Sequence, residues 1–279
     1  MQLFTPVALP PAPFRLTPAS RVLTLGSCFA QHIGQHIAAA LPDGHALVNP
    51  FGPLYAPQVI AHHLRLLLDT APLPDATYFE GVEGMWHNRW FSTHVSSAEF
   101  ATCRRLTTDA LSAARDLLRR ADVLVLTLGT DRCYRLPDGR LVANCHKQPA
   151  ATFTEHAADV ETLTSDLRRA LDSLRARRPE LQVVWTVSPY RYAKYGLHAS
   201  QLAKARLLLA VDALCATDER SVYFPAYELL LDELRDYRYY ARDLLHPSDT
   251  AVELIGERFA DWCFAPALHT FARERARLL

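Results

Sequence analysis

Hydrophobic positions along the chain fall into two alternating kinds of segment. Short runs rich in Val and Leu, such as VLTLG after Arg21, ADVLVLTLG after Arg120 and LQVVWTVSP after Glu180, carry almost no polar residue. Runs of this kind belong to strands covered on both faces in a parallel sheet. Between them, apolar side chains recur every three or four positions, as Phe29, Ile33, Ile37 and Leu41 do before Pro42. That spacing predicts a helix with one apolar face. The same reading predicts helices over about 57–68, 106–120, 155–178, 200–217, 227–235 and 248–264, a weak strand over 45–49 and another in SVYFP. RCYRLPDGRLVAN predicts a hairpin turning at Asp138-Gly139.

Strand and helix in alternation predict a three-layer α/β/α sandwich around a parallel sheet of about five strands. No repeat, low-complexity tract or linker interrupts residues 1–279, so one domain is expected. Residues 71–100 break the pattern, with TYFEGVEGMWHNRWFSTHVSS mixing aromatics, glycines and histidines. An insertion or lid over a site has this look, and so does a surface hairpin. In open sheets of this class the chemistry sits beyond the carboxyl ends of the strands. The places to look are Gly26-Ser27-Cys28, 49–52, 129–131 and Ser188-Pro189.

Composition narrows the function. Lys+Arg 30 against Asp+Glu 30 argues against a protein built to neutralise nucleic-acid phosphates or an anionic bilayer. No apolar run is long enough to span a membrane, and the prolines at 6, 10, 11 and 13 break any signal-peptide core. The six cysteines, Cys28, Cys103, Cys133, Cys145, Cys215 and Cys263, are scattered without CxxC pairs or zinc-ribbon spacing. Free thiols in a reducing cytoplasm are the expectation, with no metal and no cofactor.

Two strings carry candidate chemistry. Ser27 and Cys28 stand between a strand and a helix N-terminus, where free N–H groups and the helix dipole favour an anion. Either side chain is a candidate nucleophile, and a thiolate is favoured at such a turn. RDLLHPSDT places Asp243 and His246 three residues apart before a helix capped by Ser248, a spacing that lets the carboxylate orient the imidazole. His32 and His36, four apart, lack a third ligand and read as packed or solvated, as do His62 and His63. His87 and His94 are candidate substrate contacts, and the basic run over 168–178 reads as a solvated helix face.

The string GSCFAQHIG resembles the signature of the GSCFA family, and NPFGPLYAP, LVANCHKQPA, TVSPYRYAKYGLH, YFPAYELLLDELRDYRYYA and DLLHPS are similar to that family too. The resemblance runs over about 22–264. It implies a distant place in the SGNH (GDSL-like) hydrolase superfamily, hence a flavodoxin-like sheet and ester chemistry. Laid without a gap on the superfamily's Gly-Asp-Ser block, the glycine matches Gly26 and the nucleophile position falls on Cys28; a shift by one selects Ser27 and puts Leu25 at the glycine. The gapless register keeps glycine at the turn and is preferred. The second block implies Gly52 as an oxyanion donor. The third lacks its asparagine in LGTDR, so Asn144, with His146 beside it, is the candidate replacement in binding oxyanion or substrate. The last block matches Asp243 and His246.

The reading is an acyl hydrolase of the esterase or thioesterase class. Its expected substrate is a small-molecule or glycan acyl ester. An acyltransferase using the same acyl-enzyme is the first alternative, and a non-catalytic binding module that keeps the fold is the second.

Overall fold

The computed structural model describes residues 5–277; the first four residues of the proline-rich lead-in lie outside the described residues. Five strands form one sheet: β1 (Val22–Gly26), β2 (Ala46–Val48), β3 (Val123–Leu128), β4 (Gln182–Val187) and β5 (Ser221–Tyr223). Their order is β2-β1-β3-β4-β5 and every pairing is parallel, with Val22 opposite both Ala46 and Val123, Leu126 opposite Trp185, and Val222 opposite Val184. The long helices are α1 (Cys28–Ala40), α2 (Pro57–Leu68), α3 (Phe100–Leu118), α4 (Val160–Arg177), α5 (Leu197–Cys215), α6 (Asp249–Cys263) and α7 (Pro266–Ala276). Among the described residues no helix is long and apolar enough to cross a membrane.

The apolar strands follow from burial on both faces. Leu23, Leu25, Leu126 and Trp185 pack with Val59, Leu111, Leu167 and Leu207 from α2 to α5. Their neighbours Val22, Val125, Val184 and Val222 point the other way, onto Phe29, Ile33, Ile255, Phe259 and Leu268 of α1, α6 and α7. Each such side chain removed from water is worth roughly 1.5–3 kcal/mol, which is why polar residues are rare in these runs. The three-layer α/β/α expectation is borne out. In α1 the predicted stripe Phe29, Ile33 and Ile37 is buried, and Gly34 lets the helix approach the sheet closely. A Cβ at Gly34 would lie 2.6 Å from Val48 and 2.7 Å from the Thr24 hydroxyl.

Several elements differ from the sequence expectation. Helix α4 starts at Val160, because Thr154–Ala157 pairs instead with Arg132–Arg135, which also pairs with Leu141–Val142. The Asp159 carboxylate then caps α4 by accepting from Thr162 N–H at 2.8 Å. The helix expected over 227–235 is a short turn, Ala226–Glu228, running into a π-helical turn, Leu229–Glu233. Helix α7 had no apolar stripe to announce it, since Leu268 is its one buried residue. Within 71–100, Tyr78–Glu80 and Trp86–Asn88 form an antiparallel hairpin, with Tyr78 and Trp86 packing edge-on against Phe100 of α3.

Candidate active site

The sheet order makes β1 and β3 neighbours whose chains leave in opposite directions, and such a point opens a crevice at the strand ends. A cavity of about 310 Å³ occupies it. Its floor is made by Ser27 and Cys28 after β1, Gly129 and Thr130 after β3, and Ser188 after β4; its walls are Tyr55, Ala56 and Val59, the hairpin residues Cys133, Tyr134 and 142–145, and Tyr190, Tyr192 and His246. The structure therefore brings Ser27, Cys28, Asn144 and His246 to one cavity. Residues 71–100 contribute nothing to its lining; their hairpin packs on α3 instead. His87 is buried, and neither it nor His94 reaches the cavity.

The nucleophile turn is fixed by backbone approach. A Cβ at Gly26, where φ is +142°, would lie 2.3 Å from the Thr127 carbonyl oxygen, so β1 can end here only with glycine. Ser27 is the N-cap residue of α1, yet its side chain makes no capping bond; it is 1% exposed and its Oγ has no partner. Cys28 is the first helical residue and half-buried in the cavity. Burial pushes its thiol pKa up, while the N–H groups of Phe29 and Cys28 and the charge of Lys204 pull it down. The net direction is upward, opposite to the expectation of a thiolate favoured by the helix terminus alone. Desolvation outweighs the dipole here, so ionising this thiol calls for a base.

That base stands across the cavity. Asp243 Oδ1 accepts from the N–H groups of Leu245 and His246 at 2.9 and 3.0 Å, and its Oδ2 meets His246 Nδ1 at 2.5 Å. The His246 N–H, followed by its ring and the Leu245 N–H, holds the Asp243 carboxyl well below the usual range. An ionised carboxylate only accepts, so Nδ1 carries a proton, and in the neutral form of the ring the lone pair is on Nε2. Tyr190 stacks on the imidazole with ring centres 4.2 Å apart. The loop is pinned at both ends: Leu244 takes φ +58°, Arg191 N–H reaches the Leu245 carbonyl, and Ser248 caps α6. No hydrogen bond joins the His246 ring to Cys28 among the described residues.

Two expected oxyanion residues lie elsewhere. Gly52 N–H donates to the Asn49 carbonyl at 2.7 Å, and a Cβ there would lie 2.0 Å from Ser92 Oγ. Gly52 serves a tight turn and offers no free N–H to the cavity. His146 is 3% exposed, stacks on His87 and meets Asn88 O through Nε2, away from the cavity lining. Its neighbour Asn144 does line the cavity, and its Oδ1 accepts the His146 N–H at 2.8 Å, which leaves Nδ2, a donor, for a ligand. Asp131, of the divergent LGTDR string, is buried against Arg206 at 2.6 Å.

Three participants escaped the sequence. Asn49, at φ +42°, sends Nδ2 to the Gly26 and Ser27 carbonyls at 3.3 and 3.2 Å and so braces the turn. Tyr55 edges the cavity, and burial pushes its hydroxyl up to about 12, keeping it a neutral donor. Lys204 is 1% exposed beneath the strand ends. Only the last had a signal: it falls on the same α5 stripe as Leu207 and Val211, where an apolar residue is expected. Among the described residues no group of three or more His, Cys, Asp or Glu side chains is placed to hold a metal ion.

Two solved structures resemble this chain over most of its length. One is an acetyl esterase mutant with acetate ion, at TM-score 0.44 and 10% identity, with 91% of this chain and 99% of that one covered. The other is a carbohydrate esterase family 3 from Talaromyces cellulolyticus, at TM-score 0.41, 10% identity and the same coverages, 91% and 99%. Comparison with curated protein sequences finds no match. The family model for GSCFA matches residues 21–259, and the chain belongs to the GSCFA family.

Proposed function

We propose that this chain is an SGNH-like acyl hydrolase acting on small-molecule or glycan esters or thioesters, with Cys28 as nucleophile, His246 as base and Asp243 as the group that orients it. One observation carries the reading: Cys28 and His246 line the same cavity at the strand ends, with the His246 tautomer set by Asp243. Cys28 is preferred to Ser27 because Ser27 Oγ is fully buried beneath the turn while Cys28 is half-open to the cavity.

In this reading His246 Nε2 takes the Cys28 thiol proton as sulfur attacks the ester carbonyl carbon, forming the C–S bond. The carbonyl electron pair moves to oxygen, which meets the uncompensated N–H groups at the start of α1 and Asn144 Nδ2. Collapse breaks the bond to the alcohol oxygen, which takes the proton from His246. Water then gives its proton to Nε2 and attacks the thioester carbon; collapse breaks the C–S bond, His246 returns the proton to the Cys28 sulfur, and the acid leaves. The His246 side chain is 47% exposed, so water reaches the base directly, which favours hydrolysis over transfer to another acceptor.

The test is mass spectrometry of protein treated with a panel of activated acyl esters, with turnover followed in parallel. Wild type is expected to acylate on Cys28 and to turn over; Ser27→Ala keeps the adduct and Cys28→Ala loses it. His246→Ala slows acylation. An adduct that survives in Cys28→Ala and vanishes in Ser27→Ala overturns the nucleophile assignment, and a wild type inert to the whole panel overturns the hydrolase reading in favour of a binding module.

A further inference from the structure

The chain has 30 basic residues and only three are lysines, Lys147, Lys194 and Lys204. Arginine serves nearly everywhere a surface cation is wanted, so a lysine buried in the core is conspicuous. Lys204 Nζ donates to the carbonyl oxygens of Gly129 and Ser188, both at 2.8 Å. Those carbonyls terminate β3 and β4, and both residues form the floor of the cavity beside Cys28. Distances of 2.8 Å are those of charge-assisted bonds from an ammonium group.

We propose that Lys204 is a positioning residue whose ammonium form lies under the Cys28 site, tying the ends of β3 and β4 and holding negative charge on the nucleophile and on the oxyanion that follows. It does not touch the substrate; it acts through the floor. The inference rests on the reading of the cavity as an acyl-transfer site. Chemically it answers the loss of the third-block asparagine, because a cation behind the strand ends stabilises an anion in front of them.

The charged and titratable surroundings support that direction. Around Lys204 stand Cys28 at the start of α1, Asp131 after β3 and the Tyr227 ring at 5.9 Å. Asp131 is shared with Arg206 on α5, and Tyr55, Tyr190 and His246 line the cavity above. No carboxylate forms an ion pair with Lys204 among the described residues. Burial pulls its pKa down to about 7, while the negative charges of Cys28 and Asp131 hold it up. The same coupling lowers the Cys28 thiol, so the two groups favour each other's charged forms.

The experiment reads thiol and amine separately, without substrate. Alkylation of Cys28 by iodoacetamide is followed across pH by peptide mass spectrometry in wild type, Lys204→Met and Lys204→Gln, with thermal melting of each. Lys204→Gln keeps an N–H donor for the floor carbonyls and removes the charge. Both variants are expected to move the alkylation profile to higher pH and to slow the reaction at pH 7 by about tenfold or more, a one-unit loss of thiolate. A profile unchanged in a folded variant overturns the proposal, and so does slowing in Lys204→Met that Lys204→Gln restores, which marks a structural tie alone. Should neither variant fold, [13C]lysine NMR of the native chain, with its three lysines, titrates Lys204 directly. Its midpoint is expected to fall in Cys28→Ala, and an unmoved midpoint overturns the coupling. These readouts are independent of acyl turnover: coupling with the adduct on Ser27 leaves the charge proposal standing and fails the nucleophile, while the adduct on Cys28 without coupling does the reverse.

Discussion

Asp243 grips His246 by both its backbone and its ring. One carboxylate oxygen accepts the His246 N–H at 3.0 Å and the other meets Nδ1 at 2.5 Å, so a single side chain sets the loop and the tautomer together. Asp243→Asn keeps the shape of this contact and removes the acceptor from one arm. The amide nitrogen can face Nδ1 only if Nδ1 carries the lone pair, which moves the proton to Nε2 and disables the base. The expected outcome is a fall in kcat of about 10²–10⁴-fold with KM little changed, measured with an activated ester. Unchanged kcat would show that the pair orients nothing.

Tyr190 covers the other side of the same ring, with centres 4.2 Å apart and planes tilted by 34°. The contact limits how far the imidazole swings toward solvent. Tyr190→Phe keeps the stacked face and is expected to hold most of the activity. Tyr190→Ala is expected to lose about tenfold in kcat/KM through a misplaced base, with melting temperature nearly unchanged. Equal kinetics in both variants would exclude a positioning role for the ring.

Asn49 braces the nucleophile turn from β2, and two substitutions separate its amide from its backbone. Asn49→Gly accepts φ +42° without strain and removes the two amide bonds to the Gly26 and Ser27 carbonyls, which keep the Leu54 and Ala30 N–H donors, at about 0.5–1.5 kcal/mol for each bond. Asn49→Ala loses the same bonds and adds the left-handed backbone cost of about 1–2 kcal/mol. Denaturant unfolding should rank the three proteins in that order, and a more stable alanine than glycine variant would contradict the geometry.

What the sequence makes legible follows from how local the cause is. The parallel strands could be read because burial on both faces leaves Thr127 as the one polar position in VLVLTL, and α1 could be read because Phe29, Ile33 and Ile37 all meet one sheet face. Ser27, Cys28, Asp243 and His246 lie in two short strings whose turns and caps are set by immediate neighbours. Gly52 misled because the fate of its N–H depends on how 49–52 curls, with Asn49 O three residues back taking the bond. His146 misled in the same way: at φ +49° the chain turns its ring inward onto His87, which belongs to another hairpin far away in sequence. Tyr190 reaches the site only through tertiary packing, and for Lys204 the α5 stripe announces burial but not the strand-end carbonyls its ammonium group meets.

His146 also makes stability depend on pH. Its Nε2 donates to Asn88 O and its Nδ1 is buried without a partner, so the neutral ring fits and the charged ring does not. Burial lowers its pKa from 6.5 to about 4, and burial beside His63 and Arg65 lowers that of His62 to about 3. A histidine lowered in the fold binds its proton more readily in the unfolded chain between those values. Unfolding free energy therefore rises with pH in that window, and the stability these rings contribute is full above about pH 6.5 and drains away as pH falls toward 4. For His146 alone the drop corresponds to about 3 kcal/mol, the work of protonating the ring in place. Urea unfolding at a series of pH values between 7 and 4 should show this decline, and His146→Phe, which cannot titrate and keeps the stack on His87, should flatten it. A decline of equal slope in the variant would place the acid sensitivity elsewhere.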